Sequence, residues 1–88
     1  MRLVLVEWVD SFGCSSEWVK LEGNLDHQPI VCRSVGWLYY DGEDCKVIIP
    51  HLADVPGDLQ QGCGDMTIPT PSIRRLCDLK EAADDDAS

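Results

Sequence analysis

Ile30-Val31-Cys32-Arg33-Ser34-Val35-Gly36-Trp37-Leu38-Tyr39-Tyr40, then Asp41-Gly42-Glu43-Asp44, then Cys45-Lys46-Val47-Ile48-Ile49-Pro50 is the run on which the fold turns. Two stretches dense in β-branched and aromatic side chains flank an Asp-Gly turn, which predicts an antiparallel hairpin. Gly36 has no side chain and predicts a bulge or bend that lets a small sheet curl. Pro50 has no amide proton and should end the second arm. A period of two places Trp37 and Tyr39 on one face and Leu38 and Tyr40 on the other, so one face is expected to show an aromatic to solvent.

Working outward, Leu3 to Val9 is rich in Val and Leu and reads as a first strand with both faces partly covered. The start of the chain, interrupted by Glu7 and lacking a small-residue cleavage site, reads as neither a signal peptide nor a membrane span. From Asp10 to Pro29 the pattern breaks. Ser15 or Ser16 is placed to cap a helical turn over Glu17 to Leu21, with a short strand as the alternative, and Trp18 is expected to fasten this loop to the body. His51 to Asp65, with Pro56-Gly57-Asp58 and Gly62-Cys63-Gly64, reads as a second long, mobile loop. Met66 to Leu79 predicts a short strand ending at Pro69, a tight turn, and a final strand in which Ile73, Arg75 and Cys77 alternate against Arg74 and Leu76. Lys80 to Ser88 is small and acidic and predicts a disordered tail, because it buries too little to offset its ordering entropy. The expected organisation is one β-rich domain over residues 1–79 with a tail over residues 80–88.

The whole chain sets bounds on function. Its 88 residues suffice for one core and leave no room for a deep cleft between two layers. Sixteen Asp and Glu against seven Lys and Arg give a net charge of -9, which disfavours direct binding to nucleic acid and favours a basic partner. Five cysteines, Cys14, Cys32, Cys45, Cys63 and Cys77, are odd in number and include no Cys-x-x-Cys pair, which fits a reducing cytoplasm better than a disulfide framework or a zinc ribbon.

The order strand, long loop, strand, Asp-Gly hairpin, strand, loop, short strand, Ile68-Pro69 followed by Ser72-Ile73, final strand resembles the small Src-homology-3-like barrel, whose step into the last strand is a single tight helical turn after a proline. The resemblance implies a mainly β, five-stranded barrel with a short helical turn. Ile73 stands where the peptide-binding members carry an aromatic, so the resemblance does not extend to their proline-rich ligands. Three blocks, Val6-Glu7-Trp8-Val9-Asp10-Ser11, Cys32-Arg33-Ser34-Val35-Gly36-Trp37-Leu38 and Thr67-Ile68-Pro69, look like a group of small uncharacterised proteins of bacteriophages and prophages. That resemblance implies action inside a bacterial host, with no reaction or cofactor attached.

Cys32, Cys45, Cys63 and His51 are the conceivable zinc ligands, but structural zinc draws on closely spaced pairs, and small core cysteines are the ordinary explanation. Cys63 between two glycines is a conceivable nucleophile, with His27 or His51 as base, and a glycine loop is the ordinary explanation. Asp41, Glu43, Asp44, Asp54, Asp58 and Asp65 have no calcium-loop spacing and read as solvated turn carboxylates. Arg74 and Arg75, with Arg33 and Lys46, are the cations able to gather into an anion site, against a reading as edge charges that block sheet pairing. No cofactor or metal is expected.

The strongest lead is aromatic. Trp18, Trp37, Tyr39 and Tyr40, beside Asp41 and Glu43, have the make-up of a protein-binding hot spot with an acidic rim. The expectation is a non-enzymatic, phage-type accessory protein that binds a bacterial host protein in the cytoplasm, as an inhibitor in one form of the reading. The alternatives are an oligomer that sequesters a small anionic or nucleotide ligand through Arg74 and Arg75, and a structural component of the virion. A homodimer or higher oligomer is compatible with all three.

Overall fold

A computed structural model describes residues 1–11, 18, 20, 21 and 28–83. The β-branched runs form the strands expected of them. β1 (Arg2–Asp10) pairs antiparallel along its whole length with β2 (Ile30–Asp41), from Arg2 opposite Leu38 to Asp10 opposite Ile30. The Asp-Gly turn returns the chain into β3 (Cys45–Ile49), closed by the Gly42 amide donating to the Cys45 carbonyl at 3.0 Å. Short strands β4 (His51–Ala53) and β5 (Gln61–Cys63) form a separate hairpin, then β6 (Met66–Pro69) pairs with β3. A three-residue 3-10 turn, Thr70–Ser72, leads into β7 (Ile73–Asp78), which pairs with β1.

The result is mainly β: a five-stranded antiparallel sheet in the order β6-β3-β2-β1-β7 beside the two-stranded β4-β5 sheet. The expected closure into a barrel is absent, because β6 and β7 are edges of one sheet and do not pair with each other. The edges are nevertheless drawn together. Ile68 of β6 and Ile73 and Leu76 of β7 join Val4, Val6, Leu38 and Ile48 in one apolar cluster, so the sheet curls around a single inner face. The turn between its edges is docked by the Thr70 amide on the Asp44 carbonyl at 2.9 Å and by the Thr70 hydroxyl on the Gly42 carbonyl at 3.2 Å. Trp8 completes the inner face with its indole N–H satisfied by Ser34 Oγ at 3.1 Å, as a part-buried donor must be.

Several expectations change. The segment from His51 to Asp65 is no structureless loop: β4 and β5 pair, and the Asp58 amide donates to the Val55 carbonyl at 3.1 Å. Pro56 and Gly57, with Gly57 at φ 76°, fit the middle of a type II turn there. Gly36 is not the bulge. A β-carbon there would lie 3.0 Å from the Ile49 carbonyl oxygen, so its bare backbone lets the end of β3 pass close by. Trp18 is fully exposed, so the expected fastening is not seen among the described residues. The expected helical turn over Glu17 to Leu21 falls largely outside the described residues, as do Cys14 and His27, and of the expected tail residues 84–88 lie outside them too. No helix among the described residues is long and apolar enough to cross a membrane.

Candidate functional site

Two register shifts shape the outer face of the sheet. Leu38 lies opposite Ile48, but the next pair is Tyr40 with Val47, so β2 advances two residues while β3 advances one. Tyr39 is the extra residue of a β-bulge, and the strict alternation expected of this strand fails there. Tyr40 joins Tyr39 on the outer face instead of following Leu38 into the core. The same device recurs in β7, where Trp8 lies opposite Ile73 and Glu7 opposite Arg75. Arg74 is the extra residue, so Ile73 and Leu76 both reach the core while Arg74 and Arg75 share the outer face; the expected grouping of Ile73 with Arg75 and Cys77 is replaced.

The tyrosine bulge makes a cleft of about 500 Å³ lined by Tyr39, Tyr40, Val47, Ile49, Gln60, Gly62, Asp65 and Thr67. Val47, Ile49 and Thr67 form its floor because they are the outward residues of β3 and β6. The β4–β5 hairpin forms its wall. Gly62 settles on Ile49, where a β-carbon would stand 3.0 Å from the Ile49 side chain, and this contact explains why an outward-facing isoleucine is only 8% exposed. Gln60 donates to Asp54 Oδ1 at 2.7 Å across the hairpin. Tyr39 remains 67% and Tyr40 54% exposed.

Trp37, opposite Ile49 and Leu3, is half-buried on the same outer face and lines a second cleft of about 350 Å³ with Met1, Leu3, Leu79 and Glu81. Arg2 and Asp78 also border it, paired at 2.8 Å. Of the predicted binding residues, then, Trp37, Tyr39 and Tyr40 share one surface. Trp18 lies elsewhere in the chain's loop, Glu43 is exposed on the hairpin turn, and Asp41 is engaged on the far side of the sheet. There Lys46, Asp41, Arg2 and Asp78 form a chain of ion pairs across β3, β2, β1 and β7. The hydrogen bond from the Lys46 ammonium holds the Asp41 carboxyl below its ordinary range against an opposing cost of desolvation, with the charges of Lys46 and then Arg2 adding to the effect.

The predicted cations divide. Lys46 is spent on Asp41, whereas Arg33 and Arg74 both converge on Glu7, at 3.2 and 3.8 Å, with Arg75 directly opposite Glu7 in the ladder. Glu7, 16% exposed at the side chain, thus has three arginines around it, two of them paired to its carboxylate and the third its ladder neighbour, a role its place in the first strand did not signal. The candidate zinc ligands do not share a site. Cys32 sits opposite Trp8, Cys45 opposite Pro69, and Cys63 opposite His51 on the exposed hairpin. No cluster of three or more His, Cys, Asp or Glu able to hold a metal occurs among the described residues. Cys63 and His51 are cross-strand neighbours, and no hydrogen bond joins thiol to imidazole among the described residues.

Val47, Ile49, Gln60, Gly62, Asp65 and Thr67 were not among the predicted binding residues. Thr67 and Asp65 carried no signal beyond a short strand and a turn, and only the return of the hairpin onto Ile49 brings them to the tyrosines. No protein-family model, curated protein or solved structure matches this chain.

Proposed function

We propose that this protein is a non-enzymatic interaction domain that binds a protein partner on the outer face of its sheet. The observation that carries the reading is the bulge at Tyr39, which sets two adjacent tyrosines side by side over Val47 and Ile49 instead of dividing them between core and solvent. Large aromatics that are exposed in the free protein and gathered in a shaped cleft are the usual anchors of a protein interface, and here Asp65 borders them. The strand order and the 3-10 turn between the edge strands support a Src-homology-3-like ancestry in an open form. The three sequence blocks support a bacteriophage-type accessory protein whose partner is a basic bacterial protein, met in the host cytoplasm and inhibited by occupancy. A net charge of -9 would speed and orient that encounter.

The test is affinity capture from bacterial lysate with the wild type and a Tyr39→Ala/Tyr40→Ala variant, whose fold is checked by circular dichroism. A protein retained by the wild type, released by salt and lost from the variant is the expected result. Recovery of nothing, or of the same proteins by both, overturns the reading.

The arginine ring around Glu7 favours a second reading, a binder of small anionic or nucleotide ligands. Three guanidinium groups against one carboxylate leave two positive charges locally unmatched on an otherwise negative molecule. Since a domain this small has no deep pocket of its own, this reading requires an oligomer that doubles the ring across an interface. A strictly monomeric protein by light scattering removes it.

A further inference from the structure

We infer that the tyrosine cleft is a cation site, taking one arginine or lysine side chain from an extended segment of the partner; this rests on the protein-binding reading above. Two observations point to that chemistry. The lining supplies aromatic rings from Tyr39 and Tyr40, the aliphatic groups of Val47 and Ile49, a carboxylate from Asp65 and neutral acceptors from Gln60 and Thr67, and it contains no cationic side chain. Aromatic faces attract a cation through their negative quadrupole, an apolar floor accepts its methylene stem, and a carboxylate at the wall neutralises its head. A neutral apolar side chain would satisfy the floor and leave Asp65 to be desolvated without a partner.

The surroundings agree. The nearest cations are already committed: Lys46 to Asp41 on the opposite face, and Arg2 to Asp78 and Asp41. Next along the outer face, the Trp37 cleft is bordered by Glu81 and by Asp78, the latter paired with Arg2. The arginine ring lies farther along β2 toward Arg33, seven residues from Tyr40 and about 20 Å away at strand spacing. The charge of the cleft is therefore opposite to that of a basic segment.

The experiment is an amide-resolved NMR titration of the full chain with two short, end-blocked peptides, Leu-Arg-Leu and its citrulline counterpart, which keeps the shape and removes the charge. Shifts at Tyr39, Tyr40, Val47 and Asp65, with the arginine peptide binding about fivefold to tenfold more tightly than the citrulline peptide, are expected from a cation held by aromatic faces and a carboxylate. In an Asp65→Asn variant that preference should fall to about twofold or less, while the floor contacts persist. Equal binding of both peptides at the cleft overturns the cation assignment and leaves an apolar docking cleft, with the protein-binding reading intact. Arginine preference that maps elsewhere, or that survives Asp65→Asn undiminished, also overturns it. Absence of shifts from either peptide overturns it as well, and the lysate capture with the double tyrosine variant then decides separately whether the outer face binds protein at all.

Discussion

The inner and outer faces of the five-stranded sheet are built from the same strands and do opposite things. On the inner face Val4, Val6, Leu38, Ile48 and Ile68 exclude water, and the polar groups near them are paired. On the outer face Val31, Val35, Tyr39 and Tyr40 stand open, and charged Glu7, Arg33, Arg74 and Arg75 occupy the centre. Alternation alone makes two faces; it does not make them so unequal. The inequality is produced where alternation fails, since each bulge adds one residue to the outer face and none to the core: Tyr39 in β2 and Arg74 in β7. The bulge in β2 thereby sets Tyr39 and Tyr40 beside Val47 on the outer face, while Val4, Val6, Leu38, Ile48 and Ile68 keep the inner one.

The largest expected contrast comes from truncating one residue on each face. Ile68→Ala should cost about 2–5 kcal/mol by chemical denaturation, the range for deleting buried methyl groups and leaving a cavity. Tyr39→Ala should change stability by about 0.5 kcal/mol or less, as an exposed residue away from the core. If the two costs are similar, Tyr39 is supporting the fold, and the division between faces is lost.

Gly36 tests what holds the inner face close. Gly36→Ala should destabilise by about 1–3 kcal/mol, because the new methyl group meets the Ile49 backbone, which cannot swing away as a side chain would. A neutral outcome would mean that the end of β3 is free to shift.

Deleting Tyr39 sharpens the comparison directly. The chain would keep Leu38 opposite Ile48 and Tyr40 opposite Val47 while losing the bulge, so the fold should survive with a stability change of about 1 kcal/mol, and partner capture should be lost. Retained capture would show that one tyrosine is enough. Smaller effects belong to charge. Glu7→Gln should cost about 0.5–1 kcal/mol, since its arginine partners are largely exposed, and the cost should shrink at high salt.

The smallest effect is a titration. The Asp41 carboxyl, held down by the Lys46 hydrogen bond, should titrate by NMR below its ordinary value of 3.8, and Lys46→Met should bring it back toward that value. The sign follows from linkage: a lowered folded pKa means that the pair's contribution is present above the ordinary carboxylate range and is lost as pH falls through the folded value. An Asp41 titration unchanged by Lys46→Met would disconnect the ion chain across the sheet from the stability of its hairpin.

How much of this was legible in the residues divides along physical lines. The hairpin around Asp41-Gly42, the first strand, the end of β3 at Pro50 and the tight turn after Pro69 all follow from local chemistry: β-branched density, the φ that glycine permits, the amide that proline lacks. Tyr39, Tyr40 and Trp37 were legible as aromatics too numerous for the core, and Arg33, Arg74 and Arg75 as cations able to gather. What local chemistry could not decide was which face Tyr40 and Arg75 would take, because a bulge is selected by the pairing of a whole strand against its neighbour, and a slip of one residue reverses every side chain beyond it. The sequence by itself determined that this chain would make a twisted antiparallel sheet with spare aromatics and spare acid. Only the tertiary structure decided that the sheet stays open, that the β4–β5 hairpin folds over Ile49, and that two neighbouring tyrosines meet Asp65, since each depends on contacts between residues far apart in the chain.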